Sequence, residues 1–375
     1  MPGIYLHIPF CKQACHYCNF HFTTSLKYKD DLVNALINEI QLRKQINAKE
    51  IVNTIYFGGG TPSLLTIDEC KLIIDTIHQN FNVSADVELT LEANPDDITA
   101  EKLIGWKAAG INRLSIGVQS FFEEELVWMN RAHNAAHAKN CIQQSLEAGF
   151  TNITIDLIYG SPLLTDEMWE KNVKTAIEFG IPHLSCYALT VEEKTPLHKQ
   201  INLQQKQTVD GNKQAHQFLL LMQWLRTAGY EHYEVSNFAK PGFRSRHNSA
   251  YWKGVNYIGI GPSAHSYNGV SRQWNIANNQ KYISSINAEI LPTEEEILTD
   301  QNRLNEYIMI SLRTMEGIDL NIIEENWGIE NKELIKKQLQ PAINRKQVYI
   351  ENSFIKLTDE GMLAADGIAS GLFIV

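Results

Sequence analysis

The opening stretch Ile4-Tyr-Leu-His-Ile-Pro-Phe-Cys11-Lys-Gln-Ala-Cys15-His-Tyr-Cys18 couples a short β-branched run to a loop with three thiols in eight residues. Ile4–Ile8 reads as a strand. Six cysteines occur in all, at 11, 15, 18, 70, 141 and 186. A disulfide framework would spread pairs over a small secreted chain. A trio crowded into one loop points to metal or cluster ligation. Three thiolates can hold three irons of a cubane, which leaves the fourth iron open to an outside ligand. Zinc is the main rival, but structural zinc wants four ligands, usually as short hooks from separate segments. His16 is the candidate fourth ligand, in poor geometry because its neighbour Cys15 already faces the metal. Cluster, zinc and three unligated thiols rank in that order. Cys70, Cys141 and Cys186 lie in apolar, element-like contexts and read as small buried hydrophobes.

Outward from the loop, β-branched runs alternate with amphipathic stretches. Further strands are expected at Thr54–Phe57, Val87–Leu91, Arg113–Ile116, Asn152–Ile158 and His183–Tyr187. Helices are expected over Lys29–Arg43, Ile67–His78 (capped by Thr66), Thr99–Ala109 and His137–Ala148, the last two ended by Gly110 and Gly149. Two more fall at Trp169–Phe179 and Gln214–Ala228. Strand–helix alternation of this kind predicts an α/β fold with a parallel sheet and outer helices, a partial (β/α)6 barrel. Chemistry in a barrel gathers at the C-terminal ends of its strands. The cysteines follow the first strand, Gly58-Gly59-Gly60-Thr61 follows the second, and Glu92 ends the third. Gln119 follows the fourth strand and Asp156 lies on the fifth.

Around residues 272–297 the pattern loosens. Helices at Asp300–Arg313, Leu320–Glu325 and Lys332–Gln338, strands at Gln347–Glu351 and Phe354–Leu357, and a helix from Asp359 then resemble a small winged-helix-like α+β module. The expected division is a barrel over 1–271 and a linker plus module over 272–375.

The chain has 375 residues, 44% hydrophobic and 20% charged, with a formal charge of −10. That acidic balance argues against general nucleic-acid binding, which needs a basic surface to displace counterions. No apolar run is long enough to span a bilayer, and the N-terminus lacks a signal-peptide pattern. The expected location is the cytoplasm, with peripheral contact at the inner face of the membrane left open.

Tyr5-x-His7-Ile8-Pro9-Phe10-Cys11, with Cys15 and Cys18, resembles the radical S-adenosylmethionine superfamily, and within it the oxygen-independent coproporphyrinogen III oxidase branch. The likeness runs from Tyr5 to the C-terminal module. It implies a 4Fe–4S cluster on Cys11, Cys15 and Cys18, with the amine and carboxylate of S-adenosylmethionine chelating the open iron. Tyr17 matches the position beside the adenine. Gly59, Gly60 and Thr61 match a glycine segment that meets the cofactor's amino group. Tyr5, Glu92 in LEANPDD, Gln119 in SIGVQSF, Arg131 in MNRAH and Asp156 in IDLIYG match further cofactor-site positions.

The decarboxylase proper has a fourth cysteine two residues after the third, where this chain has Phe20. The related HemW-like haem chaperones show a loop ending in a polar residue and phenylalanine, and an HNxxYW motif, present here as His247-Asn248-Ser249-Ala250-Tyr251-Trp252. Tyr233–Ala239 (YEVSNFA) and Gly259–Tyr267 (GIGPSAHSY) are also similar to that branch. The likeness implies haem binding at His247, Asn248, Tyr251 and Trp252. It also implies delivery of haem to acceptor proteins, membrane-bound respiratory proteins among them, and a cluster-linked homodimer. Imidazole and phenolate both ligate haem iron, aromatic rings offer apolar faces to a porphyrin, and Arg244 and Arg246 could meet propionates. His265 is a second candidate ligand. The alternatives are a radical oxidative decarboxylase of coproporphyrinogen III and a non-catalytic zinc protein.

Overall fold

The structure is a computed structural model and describes residues 2–44 and 50–374. Its first half alternates as expected: β1 (Gly3–Ile8), α1 (Lys29–Leu42), β2 (Val52–Gly59), α2 (Ile67–Asn80), β3 (Val83–Ala93) and α3 (Ala100–Ala108). Then come β4 (Arg113–Gln119), α4 (Glu123–Trp128), α5 (Ala135–Glu147), β5 (Ile153–Tyr159), α6 (Asp166–Glu178) and β6 (His183–Ala188). Helix starts carry the side-chain caps their sequences offer. Thr66 and Glu69 form a reciprocal capping box on α2, Thr99 caps α3, and Thr165 caps α6.

Side-chain alternation decides which way each strand faces. Ile4, Leu6 and Ile8 of β1 join the main apolar core, as do Ile55 and Phe57 of β2, Leu89 and Leu91 of β3, and Ile153, Ile155 and Leu157 of β5. Their sequence neighbours Tyr5, His7, Tyr56, Glu92 and Asp156 therefore face the opposite side. One face packs against helices and the other, polar, lines the concave interior. This differs from the continuous apolar runs of a sheet buried on both faces.

β1 through β6 pair in chain order and in parallel. After α7 (Pro196–Asn202) and α8 (Gly211–Thr227), β7 (Glu231–Glu234) and β8 (Asn237–Ala239) add antiparallel strands beside β6. After α9 (Arg246–Trp252) the chain returns to the other end of the sheet. There β9 (Tyr257–Ile260) runs parallel to β1, followed outward by β10 (His265–Tyr267), β11 (Ser271–Asn275) and, after α10 (Asn279–Asn287), β12 (Thr293–Ile297). The twelve-stranded order starts at β12 and ends at β7, an open sheet consistent with a partial barrel. The expected division at 271/272 falls inside β11.

A second apolar cluster joins α11 (Asp300–Leu312), α12 (Leu320–Trp327) and α13 (Ile329–Asn344) to a three-stranded sheet of β13 (Ile318–Asp319), β14 (Val348–Glu351) and β15 (Phe354–Leu357). Helix α11 also contacts α9, the helix that carries the HNxxYW residues. Three features departed from the sequence reading. α4 and α7 are short helices in stretches that carry no expected element. The HNxxYW residues form a helix, capped by the Ser245 hydroxyl on Asn248 N, where a loop was expected. Residues 271–297 are ordered strands and a helix rather than a loose linker.

One buried polar group fastens the returning chain to the first helix. Glu39 bonds Arg43 Nε (2.7 Å), Asn275 Nδ2 (2.8 Å), Gly261 N (2.8 Å) and the Tyr282 hydroxyl (2.5 Å). Arg43 Nη2 also donates to Asn275 Oδ1 (3.0 Å). All of these side chains are buried. Removing one partner of a buried ion pair strands the other. Glu39→Ala is expected to cost about 3–5 kcal/mol of unfolding free energy, measured as a lowered urea midpoint.

Candidate cofactor and haem site

The cysteine loop follows β1 at its C-terminal end and is held residue by residue. Cys11 N donates to Thr23 O (3.0 Å), and Thr23 N to Pro9 O (2.8 Å). Lys12 pairs with Asp96 (2.8 Å), just beyond β3. Gln13 donates to Asn130 Oδ1 (2.8 Å), and Asn130 Nδ2 to Ala14 O (2.8 Å). His16 N donates to Met129 O (3.1 Å), while Leu197 N at the start of α7 donates to His16 O (2.8 Å). The segment after α4 and the helix α7 therefore clamp the loop.

Arg131 is the centre of this clamp. Its guanidinium reaches Cys15 Sγ (3.2 Å), the Tyr17 hydroxyl (3.3 Å), Asn94 Oδ1 (2.8 Å) and Gly117 O (2.8 Å). It thereby joins the loop to the ends of β3 and β4. Asn94 donates in turn to Thr61 Oγ1 (3.2 Å), whose hydroxyl donates to Cys11 Sγ (3.4 Å). Cys11, Cys15 and Cys18 are uncrosslinked and half-buried. Burial pushes the Cys11 thiol up to about 11, with Cys18 and Cys15 adding to the rise and Thr61 and Arg131 opposing it. A cation beside the thiols favours the thiolate that ligates iron.

The glycines beside the loop are explained by close packing and backbone angle. A Cβ on Gly60 would stand 2.7 Å from Phe10 O, and one on Gly58 2.9 Å from the Tyr5 ring. Gly59 has φ +108°, a conformation glycine adopts without strain. Gly60 N also donates to Ile8 O (2.9 Å), which brings Thr61 to Cys11. Gln119, at the end of β4, is buried and has a positive φ of 65°.

Inside the concave face, Glu92 accepts from the Tyr56 hydroxyl (2.8 Å). Burial raises its pKa to about 8, against the hydrogen bond from Tyr56, with the Asp156 charge adding to the rise. Asp156 is raised to about 7 by burial, although Arg113 and Arg131 pull the other way. No salt bridge to either carboxylate occurs among the described residues. Two desolvated carboxylates within electrostatic reach of each other suit a cationic ligand, which would favour their charged forms. Uncrosslinked thiols beside a guanidinium, next to a carboxylate-lined interior, fit a three-cysteine cluster and a sulfonium- and ammonium-bearing cofactor.

The zinc alternative fares worse. Among the described residues, no three His, Cys, Asp or Glu side chains gather closely enough to hold one metal ion. His16 faces away from the thiols, with Nδ1 near Lys206 Nζ (2.8 Å) and Trp128 O (3.2 Å). A cubane needs less convergence, because each thiolate bonds a different iron.

Beside this interior lies a cavity of about 1,580 Å³ between α9, the β9–β11 strands and the C-terminal module. It is larger than an ordinary small-ligand pocket. Tyr5, Tyr251 and Trp252 are among its walls, and Phe20, 67% exposed, stands at its edge. Tyr5 belongs to both sites, because its ring also lies against Gly58 beside Glu92. His247 and Asn248 do not line the cavity. His247 is buried beneath it, bonded through Nδ1 to Thr54 Oγ1 (2.8 Å) and through Nε2 to the Tyr251 hydroxyl (2.9 Å), and stacked on Tyr56 at 4.9 Å. Arg244 and Arg246 do line it, but Arg244 is paired with Glu231 and Glu316, and Arg246 with Asp86.

The Radical SAM superfamily model matches residues 5–176, and the HemN C-terminal domain model matches 298–364. The chain is 33% identical to "Heme chaperone HemW" of Bacillus subtilis over 374 residues, covering 98% of each. The chain belongs to the HemW family. A second family member, from Escherichia coli, is 38% identical over 268 residues, 70% of this chain and 69% of its own. Among solved structures, coproporphyrinogen III oxidase (HemN) from Escherichia coli matches with a TM-score of 0.86 and 25% identity, over 99% of this chain and 90% of that one. Membership in the radical SAM superfamily implies a 4Fe–4S cluster and S-adenosylmethionine as cofactors. Among the described residues, no helix is long and apolar enough to cross a membrane.

The raised carboxyl values set a pH dependence. A group with its folded pKa above its unfolded value binds more protons when folded, so stability falls as pH rises between the two. For Glu92 that window runs from 4.5 to about 8. In protein free of cofactor, Glu92→Gln should flatten the fall in urea midpoint across this window and raise the midpoint at pH 8.5. An unchanged slope would refute the assignment.

Proposed function

We propose that this chain is a haem chaperone that binds haem in the large cavity and passes it to acceptor proteins. The curated relatives named heme chaperones support this over almost the whole chain. The observation that carries it is the cavity of about 1,580 Å³ walled by Tyr251 and Trp252 and reaching Tyr5 at the edge of the carboxylate-lined interior. Tyr251 and Trp252 offer flat apolar surface with polar tips, and His247 fixes the Tyr251 hydroxyl from below. Asn248 lies in the first turn of α9, where its backbone N donates to the Ser245 cap of the helix that presents those rings.

In the same reading Cys11, Cys15 and Cys18 hold the cluster, and Tyr5, Tyr17, Gly59, Gly60, Thr61, Glu92, Gln119, Arg131 and Asp156 surround S-adenosylmethionine. When bound, this pair supplies an iron with an aminoacyl chelate and access to one-electron chemistry. Glu92 and Asp156 would meet the cofactor's positive charge, Arg131 would hold the loop against β3 and β4, and Tyr17 would pack beside the adenine. We assign the pair a regulatory or dimer-forming role. We also place the protein in the cytoplasm, meeting membrane-bound respiratory acceptors at the inner face, and treat the barrel and the C-terminal module as separate domains.

A second reading, oxidative decarboxylation of coproporphyrinogen III, draws support from the structural likeness to HemN. Against it stands Phe20, exposed at the cavity edge where that enzyme branch has a fourth cysteine. Anaerobically reconstituted protein should show a cluster absorption that Cys11→Ala, Cys15→Ala or Cys18→Ala abolishes, and a Soret band on adding haem. With dithionite, S-adenosylmethionine and coproporphyrinogen III it should release no vinyl product. Vinyl product with stoichiometric 5′-deoxyadenosine would overturn the chaperone reading in favour of the enzyme.

A further inference from the structure

An axial ligand to haem iron needs an imidazole nitrogen with a free lone pair that faces the porphyrin's space. His247, the histidine of the HNxxYW motif, meets neither condition. It is 2% exposed, lies outside the cavity wall, and both ring nitrogens are within 3 Å of a hydroxyl oxygen, Thr54 on one side and Tyr251 on the other. Its main chain is held too, since His247 N donates to Glu88 Oε1 (3.0 Å).

Among the described residues three histidines do line the cavity: His7, His21 and His265. His7 is buried and engaged at both nitrogens, with the Tyr5 hydroxyl (3.1 Å) and His21 O (2.9 Å). His21 is tied through Nε2 to Asn279 Oδ1 (2.8 Å). His265 is exposed to the cavity, and no hydrogen bond to its ring occurs among the described residues. Partial burial, with a smaller contribution from Arg272, lowers its pKa, which favours the neutral imidazole that can ligate.

The setting of His265 also suits a flat apolar ligand. On β10 it shares a face with Tyr267, two residues on. Tyr267 stands 6.3 Å from Tyr257, which meets Tyr251 edge-on at 4.6 Å. Trp274, opposite His265 on β11, has its ring 6.1 Å away. Tyr251, Tyr257, Tyr267 and His265 all line the cavity, so the free imidazole has aromatic neighbours along the same wall.

Resting on the haem reading above, we infer that His265 is the axial ligand to haem iron and that His247 is a positioning residue, holding Tyr251 against the cavity. The two histidines divide the work: one is free and faces the ligand, the other is saturated and braces the wall.

The test is haem titration of the full chain followed by Soret absorption, with three variants. His265→Ala should weaken affinity by at least about tenfold and shift the Soret maximum, and added imidazole should restore the native spectrum. His247→Gln, which keeps a hydrogen-bonding side chain toward Thr54 and Tyr251, should retain the native Soret position with a lowered melting temperature. His21→Ala should leave the spectrum unchanged. Native affinity and spectrum in His265→Ala would overturn the inference, as would a loss confined to His247→Gln or His21→Ala. Failure of the unaltered protein to bind haem would instead remove the haem reading itself, and this ligand assignment with it.

Discussion

A parallel sheet with one apolar and one polar face can bury only the first against helices. In this chain alternate residues of β1 to β6 enter the helix-covered core, and polar residues between them are left to line a hollow. Desolvation of that inner face costs free energy unless each polar group finds a partner. Tyr56 with Glu92, Arg113 with Thr154, and Ser185 with Asn237 are such partnerships. Glu92 and Asp156 are left with proton affinities raised by burial. A cationic occupant would favour the charged forms of both carboxylates, and the placement of the thiol loop at the rim of the hollow follows from the same strand direction.

The loop itself has little regular structure, and its shape is imposed from outside. Arg131 ties it to two strand ends, Asn130 and Met129 hold its middle, and α7 covers its far side. Arg131 is thus less a separate binding group than the post to which the thiols, Tyr17 and Asn94 are fastened. On the opposite flank, the Glu39 cluster draws Gly261, Asn275 and Tyr282 onto α1, so the segment carrying His265 is registered against the first strand.

The strand–helix alternation was legible because β-branched runs and capped amphipathic helices repeat with regular spacing, and the observed ends of β1 to β6 and their helices lie within a few residues of the expected ones. Glu92 and Asp156 were legible as polar residues at or near strand ends, and Tyr5 only through the family likeness. Helices α4 and α7 escaped notice because six or seven residues carry too little periodicity. The strands after β6 are just as short, three to five residues each, too few to show an alternation. His247 was singled out by its motif, yet nothing local reveals that Thr54, nearly two hundred positions earlier, occupies one of its nitrogens. A side chain's availability depends on long-range contacts that no short pattern records.

The pairing of Gly3 with Tyr257 has a temporal side. A polypeptide leaves the ribosome from its N-terminus, so one edge of the first strand has no hydrogen-bonding neighbour until residues 257–260 have emerged. Throughout that interval a naked strand edge, a known template for misassociation, lies next to three thiols. Biogenesis of this chain is thus most vulnerable at its beginning, and the returning segment that completes the fold also ends that exposure.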